Sequence, residues 1–536
     1  AEGEPAEPEN PAETAEVPEV SGPEDVPDAT QVIHQEQLQK VLEEAAPKPE
    51  EKKENPYERI TTQEIGGQIT MTFAGTTVPE RQITGQIDLS QVMAEWEQIR
   101  QDTAQKHTEE VLAHAAALHE ELRNYGNLRD TEKPLAVSGI MLALREGESN
   151  NFSIESLSGD DKKTDGDKIF QAISDNLDRS NIAPPAKKDK ILAQFSFLKD
   201  TPGLSQVNPK LGKTPLRHFT EFIETKIYRN IRFKSNTEDY IGRFYGEFMS
   251  YSGGDGQSLG IILTPKHICD LFCALADLKP TDKVFDPCCG TGGFLIAAMH
   301  SMLAKAATDD ERRDIRQNRL FGIEQRPDMF SVATTNMILR GDGKSNLLNG
   351  DFFTFDAADT QKKYAATVGM INPPYSQGSK DSPHLYEISF IEHLLDSLAK
   401  GARCIAIVPQ STMVGKTNEE KAYKESILKH HTLQGVITLQ KGTFYGVGTM
   451  PCIAVFTAHE PHPKDHKAKF IDFASDGFYT APHIGLRDDG SAKDKRGHLL
   501  AVWRGGQAAP TSFCVETAVE PSDEWLHSFY YFNDEI

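Results

Sequence analysis

After Gly260 the chain settles into a rhythm that few folds accommodate. Short runs rich in Val and Ile (KVFDP, RLFGIE, AATVGMINPP, ARCIAIVP, LQGVITL and CIAVFTA) alternate with amphipathic segments of helical spacing. Strands buried on both faces read as near-continuous apolar runs, and helical crossovers between them make the sheet parallel. The pattern predicts a doubly wound α/β domain with a mostly parallel sheet over residues 256–460.

The flanks read differently. Residues 90–255 carry helical spacing over Glu109–Leu122, Pro134–Arg145, Lys168–Leu177 and Leu216–Ile227, with Ser90 placed to cap a run containing Val92, Met93, Trp96 and Ile99. They predict a mainly helical domain, interrupted by a polar loop at Gly159–Asp167. Residues 57–89 mix β-branched residues with Gly and Gln and read as a linker or small irregular segment. Residues 1–56 are rich in Glu and Pro and predict a disordered acidic tail, with one isolated helix over Thr30–Ala46. Residues 461–536 read as a C-terminal extension of mixed strand and turn character.

Charge and cysteine content narrow the classes. The formal net charge is −23, and residues 1–56 alone hold 16 acidic against 4 basic residues. A chain of that sign needs a local basic groove or a basic partner if it is to hold nucleic acid. Seven cysteines, an odd number, do not make a disulfide framework and point to a reducing cytoplasm. Cys269 and Cys273 stand one helical turn apart without a second Cys/His pair, so no metal site is expected. No run reaches the length of a membrane span.

The segment Asp286-Pro287-Cys288-Cys289-Gly290-Thr291-Gly292-Gly293 follows a strand and opens a helix. Glycines there allow a tight turn and close approach of a ligand, and the helix start offers free amides. A second strand ends in Glu324, suited to ribose hydroxyls, and Leu347–Phe353 supplies Asn349, Asp351 and the ring of Phe352 for an adenine. The chain has neither GxxxxGK[ST] nor GxGxxG at this turn, and Asp286 suits an ammonium better than a pyrophosphate. S-adenosylmethionine is the cofactor these preferences favour.

In Asn372-Pro373-Pro374-Tyr375 two prolines fix two φ angles, and Pro373 pushes Asn372 out of the helical region. Such stiffness suits hydrogen-bond acceptors that must be held in place. The Asn372 side-chain oxygen and the Pro373 carbonyl are two acceptors for an amino or amide N–H, which would make the nitrogen more electron-rich as it attacks a methyl sulfonium. Tyr375 provides a face on which a flipped base can stack.

The order DPCCGTGG, FGIEQ, NGDFF, NPPY resembles that of the DNA methyltransferases acting on adenine N6. The longer phrases TPKHICDLF, FGIEQRPDMFSVATTNMILRG and KGTFYGVGTMPCIAVF resemble the modification subunit of type I restriction-modification systems. The resemblance implies a Rossmann-like methyltransferase domain behind a helical domain. It implies a cofactor site at Thr264, Asp286, Cys288, Gly290, Thr291, Gly292, Gly293, Glu324, Asp351 and Phe352. It places the target adenine at Asn372, Pro373, Pro374 and Tyr375, with Phe444 or Tyr445 as a second aromatic face. The implied partners are double-stranded DNA, a specificity subunit that reads the sequence, and a restriction subunit. With only about 75 residues after Glu460, target recognition either belongs to that subunit or has been lost beyond Ile536. The same NPPY element also suits a protein glutamine or an RNA base, and a non-catalytic cofactor-binding assembly subunit is the remaining alternative.

Overall fold

The structure, a computed structural model, describes residues 60–65, 68–73, 110, 113–229, 263–341, 346–444, 448–481 and 485–532. The expected acidic tail, the helix at Thr30–Ala46, the Ser90-capped run and Tyr445 lie outside the described residues.

The chain divides into two compact units, Ala1–Val92 and Met93–Ile536. In the first, β1 (Ile60–Ile65) pairs antiparallel with β2 (Gln68–Phe73), Ile60 opposite Phe73. Two glycines separate the strands in sequence, a spacing typical of a two-residue hairpin. A regular ribbon therefore occupies part of the stretch that reads as irregular.

The second unit begins with helices. A helix over 113–126 precedes α1 (Glu132–Gly147), α2 (Asp165–Arg179), α3 (Pro185–Phe195) and α4 (Pro215–Ile223). α1 is apolar on nearly every side and runs through the middle of this group. A Cβ at Gly139 would come within about 3 Å of Ile173, Phe195 and Leu198, so glycine lets the helices approach there. The polar stretch Gly159–Asp167 is only partly loop. Thr164 and Asp167 form a capping box, so α2 starts at Asp165. Asp165 is buried and accepts from Thr214 Oγ1 at 2.6 Å and Gly159 N at 3.2 Å, binding the loop to the start of α4.

Next come α5 (Lys266–Leu275), α6 (Gly293–Leu303) and α7 (Pro327–Leu339), then α8 (Glu387–Ser397), α9 (Asn418–His430) and α10 (Ala492–Trp503). They surround a sheet made of β3 (Val284–Asp286), β4 (Leu320–Glu324), β5 (Leu347–Asn349), β6 (Val368–Ile371), β7 (Arg403–Pro409), β8 (Thr432–Leu439), β9 (Pro451–Thr457) and β10 (Ala468–Phe473). β11 (Phe478–Ala481) and β12 (Gly485–Asp488) form a separate antiparallel ribbon, and β13 (Cys514–Thr517) completes the sheet. The nine-stranded order is β13-β10-β8-β9-β7-β6-β3-β4-β5.

The pairings from β5 to β7 and between β8 and β10 are parallel, while β9 runs antiparallel between β7 and β8 and β13 is an antiparallel edge. β10 and β13 carry the sheet past residue 460, so part of the 461–536 extension is built into the α/β layer. Along β7, Ile405 and Ile407 face one core while Cys404, Ala406 and Val408 face the other. Both faces are thus covered, as a parallel sheet requires. The first core continues without a break into the helical region, and the Arg145 guanidinium donates to the Ile338 carbonyl at the end of α7. From β3 the chain moves through β4 and β5 in one direction and through β6 and β7 in the other. That topological switch leaves a crevice at the carboxyl ends of β3 and β6.

Candidate active site

β3 ends on Asp286, whose Oδ1 accepts from Cys288 N at 3.1 Å as the chain turns. The turn needs left-handed backbone at Gly290 (φ 53°) and Gly292 (φ 88°), which glycine adopts without strain. A Cβ at Gly290 would meet no atom within 4 Å, so open space lies beside that position. α6 then begins at Gly293.

Glu324, at the end of β4, is held by backbone on both oxygens. Gly290 N donates to Oε2 at 2.9 Å and Arg326 N to Oε1 at 2.8 Å. The end of β5 is tied to the same corner. Asn349 Nδ2 donates to the carbonyls of Glu324 and Gln325 at 2.9 and 3.0 Å, and Gly350 N donates to Glu324 O. Asp351 accepts from Phe353 N at 3.0 Å and caps the short turn Phe352–Thr354.

Electrostatics mark this corner. Asp286 is 1% exposed, and burial, with Glu324 nearby, pushes its carboxyl well above the usual range. Burial likewise raises Glu324. Burial and then the carboxylates of Asp286, Glu324 and Asp351 push the Cys288 thiol up, so the three acids gather round this one turn and the thiol stays protonated.

On the other side of the switch, β6 runs into Asn372-Pro373-Pro374-Tyr375. Asn372 Nδ2 donates to Thr264 Oγ1 at 3.0 Å, joining residues 108 apart in sequence. Pro373 is buried. The Tyr375 hydroxyl donates to the Ile407 carbonyl of β7 at 3.3 Å, and burial pushes it well above its usual pKa. Ser376 follows with φ 59°, its amide donating to Glu387 Oε1 at 2.7 Å at the start of α8.

A cavity of about 450 Å³ connects the two sides. Thr264, Asp286, Cys288, Gly290, Thr291, Gly293 and Asn372, all expected from the sequence, line it. Glu324 and Asp351 stand behind the glycine turn instead of in the lining, and Gly292 shapes the turn from within. Two expected rings face elsewhere. Phe352 is 3% exposed, its ring packed against Phe285, Phe353 and His393, so the adenine face assigned to it is core. Phe444 is 2% exposed and meets Tyr375 edge-on with centroids 6.1 Å apart, so it supports that ring from beneath and offers no second face.

Two contributions were not foreseen. Asn336 of α7 donates to the Thr291 carbonyl at 3.0 Å and lines the cavity with a buried Oδ1 that has no hydrogen-bond partner among the described residues. The polar run Thr334-Thr335-Asn336 within a largely buried helix was the available signal. Arg496 and Arg504, from α10 and its end, also reach the lining.

The chain matches the N-6 DNA Methylase family over residues 236–483. It is 49% identical over 436 residues to the type II restriction enzyme and methyltransferase RM.BcgI of Heyndrickxia coagulans, covering 81% of this chain and 68% of that protein. It is 23% identical over 328 residues to the type I restriction enzyme EcoEI methylase subunit of Escherichia coli, covering 55% of this chain and 61% of the subunit. The match thus spans about two thirds of the length of these relatives. The crystal structure of the type I restriction-modification system methyltransferase subunit from Streptococcus thermophilus superposes with a TM-score of 0.52 at 14% identity, covering 77% of this chain and 96% of that one. That likeness establishes a shared fold. Of the Asn-Pro-Pro-Tyr element Asn372 alone reaches the lining, opposite the glycine turn. With that arrangement and a relative at 49% identity, the chain belongs to the N-6 DNA methylase family, the adenine-N6 DNA methyltransferases of restriction-modification systems.

Proposed function

We propose that the cavity binds S-adenosylmethionine against the Asp286–Gly293 turn and presents the adenine amino group to it at Asn372–Tyr375. The observation that carries this reading is the shared lining, in which Gly290 and Asn372 face one space and Thr264, bonded to Asn372, lines it as well. The lining suits the cofactor. A cavity of about 450 Å³ falls in the range that encloses small ligands. The buried Asp286 carboxyl can receive an ammonium, the Asn336 Oδ1 can accept a donor, and the amides at the start of α6 can meet a carboxylate.

When bound, S-adenosylmethionine supplies an electrophilic methyl group. The chain's own residues supply position. Thr264 holds Asn372 Nδ2, which fixes the plane of the amide and gives Oδ1 the accepting role. Asn372 Oδ1 and the Pro373 carbonyl then accept the two N–H groups of the adenine amino group and draw its nitrogen lone pair out of conjugation. Tyr375, tied to Ile407 and backed by Phe444, holds the ring plane of a base turned out of the helix. The proton of the product leaves to water, so no side-chain base is needed.

DNA is the substrate in this reading, and the acidic chain works with a specificity subunit that supplies much of the attraction for it. A restriction subunit completes the system as a partner. Among the described residues no helix is long and apolar enough to cross a membrane. Transfer of labelled methyl groups from S-adenosylmethionine to mixed genomic DNA tests the reading, with the chain alone and with its neighbouring gene product. Label in N6-methyladenine that Asn372→Ala abolishes supports it. Label in protein or RNA, with none in DNA, overturns it.

A further inference from the structure

The cavity has a wall that belongs to the segment after Glu460. Four cationic side chains line it: Lys266, Lys305, Arg496 and Arg504. Three of them are engaged. Lys266 pairs with Asp270 at 2.7 Å, Lys305 with Asp277 at 3.6 Å, and Arg504 Nη2 donates to the Ala274 carbonyl at 3.0 Å. Arg496 is exposed and, among the described residues, has no ion pair and no hydrogen bond. In a chain of net charge −23, a cation left unmatched at the mouth of a cavity is out of keeping with its surroundings.

The neighbouring groups join this wall of the cavity to the β11–β12 ribbon. His267, on the same helix as Lys266, is held neutral. Burial, opposed by Asp270 and assisted by the smaller effect of the Arg496 charge, lowers its pKa to about 4. Its ring stacks on Phe478 of β11, centroids 4.1 Å apart, which anchors the β11–β12 ribbon beside the cavity. The next residue, Tyr479, turns its ring outward and is 49% exposed. The ribbon adjoins the start of α10, where Ala492 N donates to Asp488 Oδ1 at 3.3 Å. A cation and an exposed ring on two such adjoining elements are groups that can hold a nucleic-acid strand, one on phosphate and one on a base face.

We propose that α10 and the β11–β12 ribbon form a DNA-backbone contact of the reaction cavity, in which Arg496 neutralises a phosphate of the target strand. The inference rests on the reading that Asn372 receives the target adenine, since both residues line one space. The carboxylate of the cofactor carries the same charge as a phosphate, so both ligands enter the test.

Arg496→Gln, Arg496→Lys and wild-type full-length chain are titrated against a labelled duplex by fluorescence anisotropy at several salt concentrations. Each is also titrated with S-adenosylmethionine by calorimetry. Low-salt binding needs no recognition sequence, because the electrostatic component is sequence-independent. Loss of one phosphate contact should weaken Arg496→Gln about tenfold at low salt and make its salt slope shallower by about 0.9. Arg496→Lys should keep the slope, and cofactor affinity should stay as in wild type. An unchanged slope in Arg496→Gln, or a loss of cofactor affinity in its place, overturns the inference while leaving adenine methylation intact. A wild-type chain that, even with its neighbouring gene product, neither binds duplex at low salt nor methylates DNA overturns the adenine reading as well.

Discussion

The two ends of the cavity are built by opposite means. At the β3 end the backbone must bend where side chains cannot follow, so Gly290 and Gly292 take positive φ and the space beside Gly290 is empty. At the β6 end, two prolines and two anchors, Tyr375 to Ile407 and Ser376 to Glu387, remove freedom. The difference teaches what each end is for. A ligand that must be reached by main-chain amides needs a backbone without Cβ atoms, whereas acceptors that act on one nitrogen need fixed positions.

The comparison is most sharply tested at Asn372. Asn372→Ala should lower kcat by roughly 10²–10³, the scale for losing one preorganised polar contact to the transition state. Cofactor affinity, which belongs to the other end, should stay within about threefold. A similar loss in both would mean that the two ends are not separate.

The two glycines divide next. Both substitutions to Ala meet a positive φ and should cost about 1 kcal/mol of stability, read from denaturant midpoints. Only at Gly290 does the new methyl enter open space beside the turn, so Gly290→Ala should also weaken cofactor binding about tenfold, measured by calorimetry. At Gly292 the methyl stands 3.7 Å from Ile296, an ordinary contact, and affinity should hold.

Asp286 gives a pH signature. Burial raises its carboxyl in the folded chain, so its favourable contribution is complete below the ordinary carboxylate range near 4 and is lost as pH rises through the folded value. Asp286→Asn removes that loss. Without cofactor the variant should be about 1 kcal/mol more stable than wild type at pH 8, with a smaller margin at pH 5, while binding cofactor more weakly. Thermal melts at the two pH values check the first half and calorimetry the second. The smallest effect belongs to Tyr375→Phe, which loses one 3.3 Å hydrogen bond and keeps the ring. About 0.5–1 kcal/mol of stability and a rate within a few-fold of wild type are expected, from a melt and a methyl-transfer assay.

Much of this was legible beforehand for local reasons. A left-handed turn calls for glycine, a stiff strand exit for proline, and a strand covered on both faces for an apolar run, so the turn, the Asn372–Tyr375 element and the doubly wound sheet could be read from short windows. Phe352 and Phe444 could not. A ring next to a carboxylate reads as a ligand face, yet Asp351 caps the Phe352–Thr354 turn and the ring packs on Phe285. The direction of β9 was hidden as well, because a run buried on both faces fits either orientation and only the pairing with β7 and β8 decides it.

By itself, then, the sequence determined backbone demands: where φ must be positive, where it must be fixed, and which runs must be buried. Only the tertiary structure decided who shares the cavity. Thr264 meets Asn372 across 108 residues, Asn336 comes in from α7, and Arg496 arrives from a segment that reads as an appendage. The reason is one of range. Dihedral preferences act between neighbours in the chain, whereas a cavity is assembled by strand order, and β3 and β6 lie side by side through a pairing that joins residues 84 apart, Val284 to Val368.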